Sequence, residues 1–108
     1  MSYRVEPTLQ AEADLARLYD SLSELGPEVA ARWYGAFWEA ARRLETQPFA
    51  CGLAYENDAF KEELRHLLFG TPKGKKYRAL FIVQDDVVKI LCVRAPGERP
   101  ISPGDLGS

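Results

Sequence analysis

The residues able to do chemistry cluster between positions 65 and 99. Arg65, Arg78, Arg94 and Arg99 stand within, at the ends of, or just beyond apolar runs, and Lys73, Lys75 and Lys76 fill a loop containing glycine and proline. An arginine stays charged at any working pH and offers a fork of donors to a phosphate or a carboxylate. Such cations along the ends of a sheet point to a site for an anion or an acidic partner. Charges inside apolar strands are costly without a purpose, so Arg78 and Arg94 read as functional, whereas the loop lysines read as solvated charges. His66 is the only histidine, and the only side chain whose ordinary pKa suits proton transfer at neutral pH. It alternates with Leu64 and Leu68, which favours a structural histidine over a general base.

Three strands must position these groups. Tyr77–Gln84 and Val87–Val93 are rich in Val, Ile, Phe and Leu and flank Asp85-Asp86, which predicts a tight hairpin. Leu64–Phe69 is a third apolar run, giving a meander. A two-residue turn sets Val83 opposite Val88, Phe81 opposite Ile90, Ala79 opposite Cys92 and Tyr77 opposite Arg94. That face, Tyr77 included, is expected to pack on helices. The other face carries Arg78, Leu80, Ile82, Gln84, Val87, Lys89, Leu91 and Val93. It is more apolar than a solvated sheet face should be, so a partner chain, a second copy or a substrate is expected to cover it.

The N-terminal half supplies the helices. Tyr3–Glu6 alternates and stops at Pro7, as a short strand would. Thr8 is a candidate helix cap, and Leu15, Leu18, Tyr19, Leu22 and Leu25 recur at helical spacing from about Leu9 to about Leu25. Gly26 closes that helix and Pro27 opens the next, which runs to about Glu45 with Ala30, Trp33, Tyr34, Phe37, Ala41 and Leu44 on one stripe. Thr46-Gln47-Pro48 ends it. Phe49–Ala59 reads as a loop, with a turn of helix near Asn57. The fold class is α+β: a strand, a helical hairpin and a three-stranded meander, in one domain over residues 1–101. Three prolines and three glycines from Ala95 onward predict a flexible tail over 102–108.

The chain has 108 residues, and 46% of them are hydrophobic, enough to build a core. Two cysteines make no disulfide framework, so a reducing, cytoplasmic setting is expected. No apolar run is long enough to span a membrane. The net charge of −2 hides an asymmetry, since residues 1–60 carry five Arg against ten acids and residues 61–99 carry nine Lys and Arg against five. A basic region on an acidic protein suits phosphates or acidic protein surfaces, and differs from the strongly basic footprint of a general nucleic-acid binder. Gly70–Lys75 is one residue short of a phosphate-binding loop, and Lys76 stands where magnesium binding needs Ser or Thr. No His, Cys and acid cluster has metal-ligand spacing, so no metal or cofactor is expected.

The order strand, helix, helix, meander resembles the RelE/ParE toxins of bacterial type II toxin–antitoxin systems. Tyr77-Arg78 opening a strand, Asp85-Asp86 at the turn, Val87–Arg94, and Arg99-Pro100-Ile101 are similar to that family's C-terminal half. So are Leu64-Arg65-His66-Leu67 before the lysine loop and Ala13-Asp14-Leu15 in the first helix. The resemblance covers roughly residues 3–101. It implies a growth-inhibiting protein held in a hetero-oligomer by a cognate antitoxin, which should be acidic or amphipathic and lie across the meander and the hairpin. RelE-type members cleave mRNA on the ribosome, a metal-independent reaction in which the RNA 2′-hydroxyl attacks the adjacent phosphate. ParE-type members inhibit DNA gyrase without being nucleases. The resemblance to RelE implies a catalytic role for Arg65, Arg78, Arg94 and Arg99, and RNA binding for Lys73, Lys75 and Lys76. It leaves His66 and Tyr77 as acid/base candidates. The arginine placement favours ribosome-dependent cleavage. The lack of a tyrosine beyond Arg99, and Glu98 where relatives often carry a basic residue, favour the gyrase inhibitor or an attenuated antitoxin-binding module.

Overall fold

The computed structural model describes residues 2–106. Strand β1 (Arg4–Pro7) leads into α1 (Leu9–Ser23), α2 (Pro27–Arg42) and the meander β2 (Arg65–Phe69), β3 (Tyr77–Gln84) and β4 (Val87–Arg94). The sheet order is β1-β4-β3-β2, with β1 parallel to β4 and the other pairs antiparallel. The α+β architecture expected from the sequence is therefore present.

Local chemistry explains the element ends. Thr8 Oγ1 accepts the Ala11 N–H at 3.2 Å and caps α1, with Glu12 in the positive first turn. Pro27 occupies the first turn of α2, where a missing N–H costs nothing. The α-helical part of α2 ends at Arg42, three residues short of the expected Glu45, and continues as a 3-10 turn over Arg43–Glu45. A further 3-10 turn at Asn57–Ala59 matches the helical turn read in the loop. Asp85 takes φ 57 in the hairpin turn, a conformation short polar side chains tolerate.

One face of the sheet meets the helices. Leu15, Leu18, Trp33, Phe37, Ala41 and Leu44 pack on Leu67, Phe69, Ala79, Phe81, Val88, Ile90 and Val93. Phe37 and Phe81 are fully buried, each contributing about 1.5–3 kcal/mol of transfer free energy. Tyr77 packs against Trp33 and Phe69, on the helix side as the alternation predicted.

The register departs from the expected one halfway along the hairpin. Val83 pairs with Val88 and Phe81 with Ile90, but Leu80 pairs with Cys92, Ala79 with Val93 and Arg78 with Arg94. Leu91 is the extra residue of a β-bulge. Two contacts from the start of the chain hold the bulge. Thr8 Oγ1 donates to the carbonyls of Ile90 and Leu91, at 3.0 and 3.1 Å, and the buried Asp14 carboxylate accepts the Val93 N–H at 2.9 Å. Beyond the bulge every side chain changes face. Val93 joins the helix-side core, Cys92 leaves it, and Arg94 lies beside Arg78 instead of opposite Tyr77.

The second face is covered by the chain itself, not by an outside partner as expected. Leu80, Ile82 and Cys92 pack against Ala54, Leu64 and Ile101, with Phe60, Leu91 and Leu106 at the margin. Its apolar composition thus belongs to a second small core, closed by the loop after α2 and the segment after β4. Pro103–Leu106, in the expected tail, forms a 3-10 turn.

Candidate functional site

Arg78 and Arg94 are cross-strand neighbours on the second face, brought together by the bulge. Neither presents a free guanidinium. Arg78 grips Glu56 with both terminal nitrogens, Nη1 to Oε1 at 3.0 Å and Nη2 to Oε2 at 2.8 Å. The Glu56 side chain is only 2% exposed, and Oε2 also accepts the Ile101 N–H at 3.1 Å. The Tyr55 ring lies over the Arg78 guanidinium, 4.5 Å from its centroid. Burial pushes the Glu56 carboxyl up, but the Arg78 and Ile101 donors outweigh it and hold the group below its ordinary value. The same contact with Glu56 raises the Arg78 guanidinium further.

Arg94 Nη1 sits 3.1 Å from Glu98 Oε2, and its Nη2 donates to the Arg99 carbonyl at 2.6 Å. Glu98 also accepts the Ala95 N–H at 2.8 Å and lies 3.6 Å from Arg17. Arg99 is exposed and pairs with Asp105 through two bonds of 3.0 Å, which hold the Asp105 carboxyl well below its usual range. Three of the four candidate arginines are thus joined to carboxylates of their own chain on this face.

The fourth does not join them. Arg65 pairs with Phe81, so it lies on the helix side of the sheet. There it bonds the Cys51 carbonyl and Glu63 and covers the Phe49 ring. Tyr77 is on that side too, with burial raising its phenol. His66 is on the Arg78 side, edge-on to Tyr55 with centroids 5.3 Å apart. Burial lowers its pKa and the Arg78 charge lowers it further, which keeps the ring neutral at pH 7. Its Nδ1 is buried without a partner among the described residues. Lys73, Lys75 and Lys76 are exposed in the Gly70–Lys76 loop.

A second feature escaped the sequence reading. Among the described residues, Arg32, Arg42, Arg43 and the three loop lysines make no ion pair. Arg32, Arg42, Arg43 and Lys76 line one open cleft of about 1000 Å³ between α2 and β2, together with the acids Glu39 and Glu45 and with Gly35, Ala36, Ala40 and Leu68, so cations outnumber acids there four to two. A group of cations without ion pairs therefore lies beside α2, whereas Arg78 and Arg94 on the second face are paired within the chain and Lys89 on that face, among the described residues, is not. The signal for the three arginines was their place outside the apolar stripe of α2. Nothing local marks Glu56, an acid in a loop.

Residues 5–99 match the family described as ParE toxin of type II toxin–antitoxin system, parDE. The chain belongs to this family. Its cognate partner is accordingly an antitoxin. No curated protein matches the sequence. No helix among the described residues is long and apolar enough to cross a membrane. The toxin's second face can hold its own loop and C-terminal segment by charge. Its α2–β2 cleft can attract an acidic ligand.

Proposed function

We propose that this ParE-family toxin acts by binding, as a non-enzymatic inhibitor of DNA gyrase that its antitoxin neutralises. The observation carrying this reading is that Arg78, Arg94 and Arg99 each face a carboxylate of the same chain. Phosphoryl chemistry on RNA needs cations aimed at the phosphate and groups that take and give a proton. Here the forks are occupied, Tyr77 lies on the opposite side of the sheet, and His66 is packed against Tyr55. In this reading the acidic part of the antitoxin lies along the cationic cleft between α2 and β2.

The adjacency of Arg78 and Arg94, with His66 on the same face, supports a second reading as a ribosome-dependent mRNA endonuclease. One experiment separates the two. The toxin is added to gyrase supercoiling and gyrase-dependent DNA cleavage assays, and mRNA 5′ ends are mapped after brief induction without antitoxin. The expected result is loss of supercoiling and no new codon-spaced ends. New ends that vanish when translation initiation is blocked, with gyrase unaffected, would overturn the proposal in favour of cleavage. Normal growth and intact gyrase would leave an antitoxin-binding module.

A further inference from the structure

We propose that the outer face of α2 is self-complementary and docks a second copy of this chain, antiparallel, about a twofold axis beside Gly35. Glu28, Ala31, Arg32, Gly35, Trp38, Glu39 and Arg42 are all exposed on α2. With 3.6 residues per turn they fall within about 60° of Gly35, so they form one stripe on the side away from the buried Trp33 and Phe37. Gly35 has no explanation inside the chain. A Cβ there would meet nothing within 4 Å, so no internal contact requires a glycine. A glycine in a helix interior is destabilising relative to alanine, and what it offers in return is close approach by another backbone.

The residues around Gly35 are arranged as opposites. About such an axis, a residue some positions before Gly35 meets the one as many positions after it in the other copy, on the same flank of the helix. Glu28 and Arg42 each stand seven residues from Gly35, so Glu28 of one copy faces Arg42 of the other at both ends of the contact. Arg32 and Glu39, three before and four after, share one flank and oppose each other. Ala31 and Trp38, four before and three after, share the other flank, where the small side chain leaves room for the large one. Trp38 is 39% exposed, and its ring is held edge-on to Phe37 at 4.9 Å and to Tyr34 at 6.2 Å. None of the four charges makes an ion pair among the described residues. The helix dipole accounts for an acid at the start and a base at the end, but it fades within a turn and gives no reason for Arg32 and Glu39. A surface that complements itself is what an isologous contact requires, and a foreign partner would not need it. Arg32, Gly35, Glu39 and Arg42 also line the α2–β2 cleft, so a docked copy and an acidic ligand there exclude each other. That exclusion rests on the reading of the cleft given above; the pairing itself does not.

Sedimentation velocity of the antitoxin-free full chain, at concentrations up to about 100 µM, reads the association. We expect a concentration-dependent dimer. Arg42→Glu and Glu28→Arg should each weaken it at least about tenfold, since the twofold axis turns both Glu–Arg contacts into like-charge contacts. An equimolar mixture of these two variants should form a heterodimer, in which the charges are opposed again. The double variant Glu28→Arg/Arg42→Glu should recover the wild-type association. Gly35→Gln should raise the thermal midpoint, because glutamine is the better helix former, and yet weaken the dimer at least about tenfold. A chain that stays monomeric over that range overturns the proposal. So does a dimer indifferent to both charge reversals, or one that the double variant fails to restore. All of these positions are exposed, and far-UV circular dichroism checks that each variant keeps its fold. The readout is mass, so a monomer leaves the gyrase reading standing, and an unaffected gyrase leaves this one standing.

Discussion

Replacing Arg78 by methionine removes the cation from a carboxylate that sees almost no water. The Glu56 side chain is 2% exposed and retains one other donor, the Ile101 N–H at 3.1 Å. Breaking a buried ion pair from one side costs about 3–5 kcal/mol, because the remaining charge must stay unpaired or take up a proton. A domain of this size is stable by about 5–15 kcal/mol in total, so Arg78→Met should consume a large part of that. The thermal midpoint should fall by roughly 15–30 °C. Urea unfolding followed by far-UV circular dichroism measures the loss. The double variant Glu56→Leu/Arg78→Met should recover part of it, since no orphan charge remains, less about 1–3 kcal/mol for the Ile101 N–H left without its acceptor. By contrast, Arg99→Ala should leave the midpoint within experimental scatter, because the Arg99 side chain is 71% exposed. A loss of under about 1 kcal/mol for Arg78→Met, the size of a surface pair, would refute the reasoning.

Three further outcomes follow from the same geometry. The Glu56 carboxyl is held below its ordinary value of 4.5, so its contribution is complete above that pH and is lost as pH falls through the lower folded value. The Ile101 amide resonance should titrate with a midpoint below 4.5, and a midpoint at or above 4.5 would contradict the pairing. Gly70→Ala would place a Cβ 2.7 Å from the Lys75 carbonyl oxygen, a backbone atom that cannot swing aside. A loss of about 1–3 kcal/mol in urea is expected, and an unchanged midpoint would show that the Gly70–Lys76 loop yields. Burial pushes the Cys92 thiol up to about 12, so iodoacetamide at pH 8 should alkylate Cys51 and leave Cys92 until the chain unfolds. Comparable labelling of both thiols in the native protein would count against the second-face core.

The elements were legible because their signals are local. The Thr8 cap, the Gly26-Pro27 corner, the stripe of α2 and the Asp85-Asp86 turn each lie within a few residues of what they determine. Arg78 and Arg94 stood out because a charge in an apolar strand is unusual wherever the strand goes. The rest of the site was not legible. Glu56 reaches Arg78 across 22 residues and Ile101 across 45, and no local pattern announces either contact. Arg65 resembled the other arginines in sequence, yet its register with Phe81 puts it on the opposite side of the sheet. The apolar second face was visible, but a sheet face covered by its own chain and one awaiting a partner have the same composition.

The bulge marks the boundary between the two kinds of information. The sequence by itself determined that Val87–Arg94 is a strand, that it follows a tight turn, and that it carries an arginine at its end. It did not determine which face that arginine takes, because Val88, Ile90, Leu91, Cys92 and Val93 suit either side of a sheet with two cores. Only the tertiary structure decided this. Thr8 at the head of α1 holds the carbonyls of Ile90 and Leu91, and Asp14, nearly two turns further, holds the Val93 amide. These backbone groups, some 80 residues away in the chain, have those partners in a register from which Leu91 is extruded. The bonds to Thr8 and Asp14 thus satisfy backbone groups where the bulge interrupts the ladder. That exchange turns Arg94 toward Arg78 and so sets the charge arrangement of the whole face.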